Sequence, residues 1–323
     1  MILPQVLLQS LVFMNARDCG GCHPRQAQTQ RDTPMAHALI PAADSKFLQL
    51  HPDLPFSAGG VKYRIQVAAS AATFSVVSGR SSFSVPHVWA FGNGITGQTY
   101  LFQRNASWYE AAVSFYPALQ GLDWTPGHST RPHTDLEEAV GRRLDNVEVR
   151  RCFGCHSTGA KWDPSGRLES IEPGVRCEAC HRNAEAHRST RSPMARLGGL
   201  GPEDLSAVCN DCHPSWAEVA ANGPRGVPNV RHQFYRLIES RCYDALDKRI
   251  SCTVCHEPHS HTVRPAAFYD SKCQSCHAAG KICPVAKSDC VTCHMPKTEM
   301  PGLHFAFTDH RIRIARPGQS YPD

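Results

Sequence analysis

Seven copies of one five-residue pattern, C-x-x-C-H, constrain this chain more than any other feature. They are CGGCH (Cys19–His23), CFGCH (Cys152–His156), CEACH (Cys177–His181), CNDCH (Cys209–His213), CTVCH (Cys252–His256), CQSCH (Cys273–His277) and CVTCH (Cys290–His294). The pattern is the attachment signal for c-type haem. Two sulfurs form thioethers with the haem vinyl groups: Cys19 and Cys22, Cys152 and Cys155, Cys177 and Cys180, Cys209 and Cys212, Cys252 and Cys255, Cys273 and Cys276, Cys290 and Cys293. On a helical turn, positions i, i+3 and i+4 share a face. His23, His156, His181, His213, His256, His277 and His294 therefore reach iron from the side to which the sulfurs fix the ring, as proximal ligands. Structural zinc is the bland alternative, because CxxC pairs recur at ribbon-like separations. Zinc knuckles have no need of a histidine after every second cysteine. Seven covalently bound haem c groups are the expected cofactor, and they use fourteen of the 16 cysteines.

Haem also changes how composition reads. Hydrophobic residues make up 41% and aromatic residues 8% of 323, lean for this length. The 24 prolines and 23 glycines argue against long regular elements. Porphyrins are large apolar plates, so they are expected to form the core, and the haem-free chain is expected not to fold. The formal charge of +5 is misleading. Ionised propionates leave each oxidised haem at about −1, and each reduced haem at about −2. Seven of them outweigh the basic excess. No Lys/Arg-rich run or aromatic RNA-binding motif is present, so a nucleic-acid partner is not expected.

Taken in order, residues 1–16 form an apolar run like the h-region of an export signal, or the remnant of one, with no Lys or Arg before it. The run is too short to span a bilayer. Residues 17–54 carry the first motif. Residues 55–130 lack cysteine and read as strands at 61–68, 73–78, 87–91, 98–103 and 108–116, each rich in β-branched or aromatic residues. A small antiparallel β insertion, a lid or a docking face, is expected there. Residues 131–313 hold six motifs, introduced by a helix with Thr134 and Glu137 as a capping box. A helix opening at Pro202 and another over 228–243 follow. Residues 314–323 are expected to be a loose tail. The expected fold is a multihaem cytochrome c: mainly short α-helices and loops wrapped around stacked haems.

Of 18 histidines, eleven lie outside the motifs: His37, His51, His87, His128, His133, His187, His232, His259, His261, His304 and His310. That supply is enough to close every iron with a second imidazole. Candidate distal ligands are His37 (with Met35 as its rival), His128, His187, His232, His259, His304 and His310. Cys242 and Cys283 belong to no motif, and in an exported protein they suggest a disulfide.

Several stretches carry a resemblance. CEACHRNAEAH (Cys177–His187), CTVCHEPH (Cys252–His259), CVTCHMP (Cys290–Pro296) and FTDHRI (Phe307–Ile312) resemble the superfamily of tetrahaem nitrifier cytochromes, pentahaem nitrite reductases and octahaem hydroxylamine oxidoreductases. WAFGNGITGQTYLF and VSFYPALQGLDWTPGH resemble environmental bacterial multihaem cytochromes often linked to tetratricopeptide repeats, which are absent here. By that resemblance His187 and His259 serve haems other than their sequence neighbours, and His304 and His310 are distal ligands from the tail. The pattern departs from the enzymes. No motif replaces its histidine by lysine, and no tyrosine stands in a matching cross-linking motif.

The expected function is exported electron transfer along closely spaced haems, periplasmic or extracellular, in a respiratory or extracellular chain. No catalytic residue is assigned. Expected partners are redox proteins: other cytochromes, a quinol-oxidising membrane complex or a terminal reductase. One alternative is an oxidoreductase with one open haem acting on a small nitrogen or sulfur compound. Another is a subunit of a cytochrome filament or a membrane respiratory complex.

Overall fold

The chain builds most of its strands between the first two motifs. In the computed structural model, residues 19–323 are described except 69–70, 87, 129–132, 134, 195, 215, 224–225, 248, 263–264, 278–282, 317–318, 320 and 322–323. The apolar N-terminal run, His87 and Thr134 lie outside the described residues.

β1 (Leu39–Pro41) leads into a one-turn helix, Lys46–Leu50, whose cap is the Ser45 hydroxyl accepting the Leu48 N–H. β2 (Asp53–Ala58), β3 (Val61–Ala68), β4 (Ala71–Ser78) and β5 (Ser81–Val85) form a four-stranded antiparallel meander. β6 (Trp89–Phe91), β7 (Thr99–Arg104) and β8 (Ser107–Ala111) form a second meander. β9 (Val113–Tyr116) pairs with β10 (Gly121–Trp124). β11 (Gly141–Leu144) returns to β8, giving a five-stranded sheet ordered β1-β6-β7-β8-β11.

Side-chain alternation explains the packing. Val61, Tyr63 and Ile65 of β3 are buried, while Lys62, Arg64 and Gln66 between them are exposed. In β7, Tyr100, Leu101 and Phe102 are all buried, because this sheet is covered on both faces. Tyr100 and Phe102 join Tyr63, Phe74 and Val76 in a core shared with the four-stranded sheet. Leu101 points the other way, into a second core with Trp108, Val149 and Phe153. Gly141 (φ 137°) is required where β11 meets β8, since a Cβ there would strike the Glu110 carbonyl.

Val149 and Phe153 belong to the helix Asn146–His156, which carries the second motif. Asp145 and Glu148 form its capping box: the Asp145 carboxylate accepts the Glu148 N–H, and Glu148 accepts the Asp145 N–H. The hairpin β12 (Ser157–Trp162) and β13 (Leu168–Pro173) follows. The remaining motifs sit on short helices: Cys177–Cys180, Pro202–Cys209, Cys252–Cys255, Ala266–His277 and Cys290–His294. β14 (Lys297–Glu299) and β15 (Ala306–Thr308) pair near the C-terminus. Beyond Val175 the buried hydrophobic residues, among those described, are Leu205, Val219, Val230 and Tyr235.

Several expectations need correction. The β region is larger than the 55–130 insertion. It holds two sheets and a ribbon, runs from Leu39 to Leu144, and has an apolar core of its own. A core made by porphyrins alone was inferred from whole-chain composition, which averages an apolar region with a sparse one. The 108–116 strand breaks at Ala112, where the chain leaves one sheet to pair with β10. The first helix after the sheets begins at Leu136 and is capped by Asp135, while Glu137 pairs with Arg104 and accepts from the Tyr109 hydroxyl. The helix expected over 228–243 is a 3-10 turn, Val227–Arg231, then Gln233–Ile238, with His232 at the junction. Tyr321, in the stretch expected to be loose, lies under the Arg236 guanidinium, 4.6 Å from its ring centre.

Candidate haem sites

Each motif begins with the same local geometry. The histidine N–H donates to the carbonyl of the first cysteine at Cys19 (2.8 Å), Cys177 (2.8 Å), Cys209 (2.9 Å) and Cys252 (2.9 Å). His156, His277 and His294 end helices that contain their cysteines. One helical turn therefore puts both sulfurs and the imidazole on one side.

Several imidazoles turn one ring nitrogen to a backbone carbonyl. A backbone carbonyl can only accept, so a ring nitrogen facing one carries the proton and leaves the other nitrogen free for metal. His156 Nδ1 donates to Ala38 O (2.9 Å), and His294 Nδ1 donates to Arg313 O (3.0 Å). His187 Nδ1 donates to Ser192 O (2.6 Å), and His310 Nδ1 to Thr308 O (3.0 Å). Burial lowers the pKa of His156, His181, His213 and His256. Burial and the neighbouring His256 push His310 down to about 4.

Three motif histidines face a second histidine. The ring centres of His23 and His187 are 6.4 Å apart, those of His181 and His259 are 5.9 Å apart, and those of His256 and His310 are 6.1 Å apart. An iron between two imidazoles separates their centres by roughly 6 Å, with about 2 Å from each nitrogen to the metal and about 1 Å on to each ring centre. A cavity of about 610 Å³ opens beside His181 and His187, bordered by Cys180, Met194 and Asp211. That volume is in the range of a cofactor site. Residues and space fit the group the motifs imply.

The other candidates sit differently. His232 is buried with neither ring nitrogen bonded. His37 is exposed, on the turn Met35–His37. His128 Nε2 is 3.1 Å from Glu110, and His304 Nε2 is 2.8 Å from Asp123, so a carboxylate holds the nitrogen that would ligate. His133, not among the selected candidates, has a buried, unbonded Nε2 and packs on Trp124. In sequence it stands with His128 in a loop before a helix. The bridge expected between Cys242 and Cys283 is absent, and both thiols are exposed. Cys242 lies instead among the motif cysteines Cys255, Cys273 and Cys276. Two leftover cysteines carry a parity argument but no geometry.

Neighbouring motifs touch. The Cys155 thiol donates to Asp211 O (3.5 Å), and Arg182 pairs with the Asp211 carboxylate, so CNDCH meets both CFGCH and CEACH. The Ser206 hydroxyl, one turn before Cys209, lies 4.0 Å from Cys252 Sγ. Arg191, just beyond His187, lies 3.7 Å from Cys22 Sγ. Asp270, on the helix of the sixth motif, accepts the N–H groups of Asp289 (2.7 Å) and Cys290 (2.8 Å) at the start of the seventh.

This fold, with its repeated attachment turns and paired imidazoles, is like that of a multihaem c-type cytochrome. A cytochrome c3 family model matches residues 170–278, and a family model for cytochrome c554 and c-prime matches residues 125–182. Among solved structures the chain is similar to the outer cell wall cytochrome OcwA. The TM-score is 0.52 at 12% identity, with 92% of this chain and 78% of that one covered. No curated protein matches. Among the described residues no helix is long and apolar enough to cross a membrane.

Proposed function

We propose that this protein is an exported seven-haem electron carrier working outside the cytoplasm. The observation that carries the reading is the set of three imidazole pairs near 6 Å, each joining a motif histidine to a histidine from another segment. His187 with His23, His259 with His181, and His310 with His256 would each hold one iron. His232, buried with both nitrogens unbonded, is held for a further iron. The bound group supplies reversible one-electron chemistry at iron.

The protein's own residues do the rest. Paired cysteines hold each ring rigidly. Two imidazoles on one iron would close it to small molecules and keep its potential low. Carbonyls of Ala38 and Arg313 hold His156 and His294 in the right tautomer. The contacts between motifs support an order first–third–fourth–fifth, with the second motif joined at the fourth, and a separate link of the sixth to the seventh. The exposed Cys22 and His23 at one end, and Cys276 and His277 toward the other, suit exchange with redox partner proteins. A place at the cell exterior agrees with the name of OcwA and with haem attachment after export.

Electron paramagnetic resonance of the oxidised, haem-loaded protein, before and after nitrite or nitric oxide, tests the reading. Low-spin signals that ignore both additions are expected, with a mass corresponding to seven haems. A high-spin signal of one haem-equivalent that responds to ligand would replace the carrier with an oxidoreductase.

A further inference from the structure

The C-terminal segment reaches two motif histidines at once, His256 and His294, and a buried ion pair stands between those contacts. Arg236 and Asp309 both have fully buried side chains. The guanidinium grips the carboxylate with two bonds, Nε to Oδ1 at 3.0 Å and Nη2 to Oδ2 at 3.2 Å. Its remaining Nη1 donates to Glu239 (3.2 Å). Arg313 also donates to Asp309, and Arg311 lies 3.3 Å from Glu239. The Ser240 hydroxyl donates to His310 O (3.3 Å) and accepts the Ile312 N–H (2.8 Å). A fork of this kind fixes direction as well as distance, which a lysine cannot do.

What the clamp holds is chemistry-bearing. His310, the next residue after Asp309, faces His256. Arg313, four residues on, accepts the Nδ1–H of His294 through its carbonyl and donates its N–H to His294 O (3.1 Å). Asp309 N–H itself donates to Pro296 O (3.0 Å), just beyond the seventh motif. Few apolar side chains are buried in this half of the molecule, so directional polar contacts must do the locating.

We propose that Arg236 and Asp309 are positioning residues for two haems, setting the sixth ligand at the His256 iron and the hydrogen bond on the proximal ligand at the His294 iron. The inference rests on the reading of His310 as an iron ligand. Reduced, haem-loaded His310→Ala is expected to bind one more equivalent of carbon monoxide than the parent. Arg236→Gln is expected to open the same iron, so that it also gains one equivalent. The double variant gains one and not two. Arg236→Gln also raises the potential of one other haem, because His294 loses its bond to Arg313 and becomes a weaker donor to iron. If His310→Ala gains nothing, the ligand reading fails. If His310→Ala gains and Arg236→Gln keeps the parent spectrum and potentials, the clamp alone fails. Should Arg236→Gln not load haem, Arg236→Lys, which keeps the charge and loses the fork, is scored in the same way. An unchanged spectrum and carbon monoxide stoichiometry then overturn the clamp.

Discussion

The β region from Leu39 to Leu144 and the motif region beyond Val175 solve the same problem by different means. The first buries Tyr63, Phe74, Tyr100, Phe102 and Phe115 to 2% exposure or less and stacks Phe102 on Tyr109 with ring centres 5.7 Å apart. The second buries Leu205, Val219, Val230 and Tyr235 among its described residues, and it joins its short helices through carboxylates, arginines and backbone bonds. An apolar side-chain core stabilises the first by itself. Among its described residues the second is held mainly by polar contacts. The helix Asn146–His156 is the seam, with Phe153 ringed by Trp89, Phe91, Trp108 and Trp162 on the β side and the attachment residues on the other.

The largest expected effect comes from withholding haem. Limited proteolysis of the haem-free chain, read by mass spectrometry, should leave a resistant fragment spanning the two sheets while the region after Val175 is cut quickly. Equal digestion of both halves would erase the distinction between them. Next come two phenylalanines. Phe74→Ala removes a fully buried ring from the β core and should cost about 3–5 kcal/mol of that region's stability. Haem spectra should be unchanged. Phe153→Ala should cost about as much and also perturb the signals of the His156 iron. If both variants leave the spectra alone, the seam does not transmit packing to the motif.

Ligand removal sharpens the other side. His187→Ala and His259→Ala should each turn one low-spin iron high-spin without shifting the melting of the sheets. Loss of the sheets in either variant would mean that the two regions fold as one unit. The smallest effect is expected at Asp270. Its carboxylate caps the seventh-motif helix, and Asp270→Asn should cost about 1 kcal/mol near neutral pH. The N–H of Cys290, offset by burial and helped by the N–H of Asp289, holds the Asp270 pKa below its ordinary value. That stabilisation is present above the unfolded carboxylate pKa and is lost as pH falls through the lowered folded value. The gap between parent and variant should therefore close on acidification, and a gap constant with pH would rule out a charged cap.

The turn at each motif was legible in sequence because it is local. Two cysteines and a histidine within one turn determine their own geometry wherever the chain goes. The alternation at 61–68 was equally local, and that strand runs over the expected residues. The capping box of the second-motif helix was legible too, in Asp145 and Glu148, but a similar pattern at Thr134 and Glu137 drew the reading away from it. The three-residue strands and the hairpin β12–β13 left too short or too irregular a pattern to read.

By itself, then, the sequence determined where the seven C-x-x-C-H turns fall and which two sulfurs and which imidazole each one brings together. Only the tertiary structure decided that His187 turns back to His23, that His259 faces His181, and that His310 comes from the far end of the chain to His256. The reason is range. Attachment spans five residues and is settled within one hydrogen-bonded turn. Pairing of imidazoles spans from 54 to 164 residues of chain, and long-range contacts such as the buried pair of Arg236 with Asp309 beside His310 are announced by no local pattern.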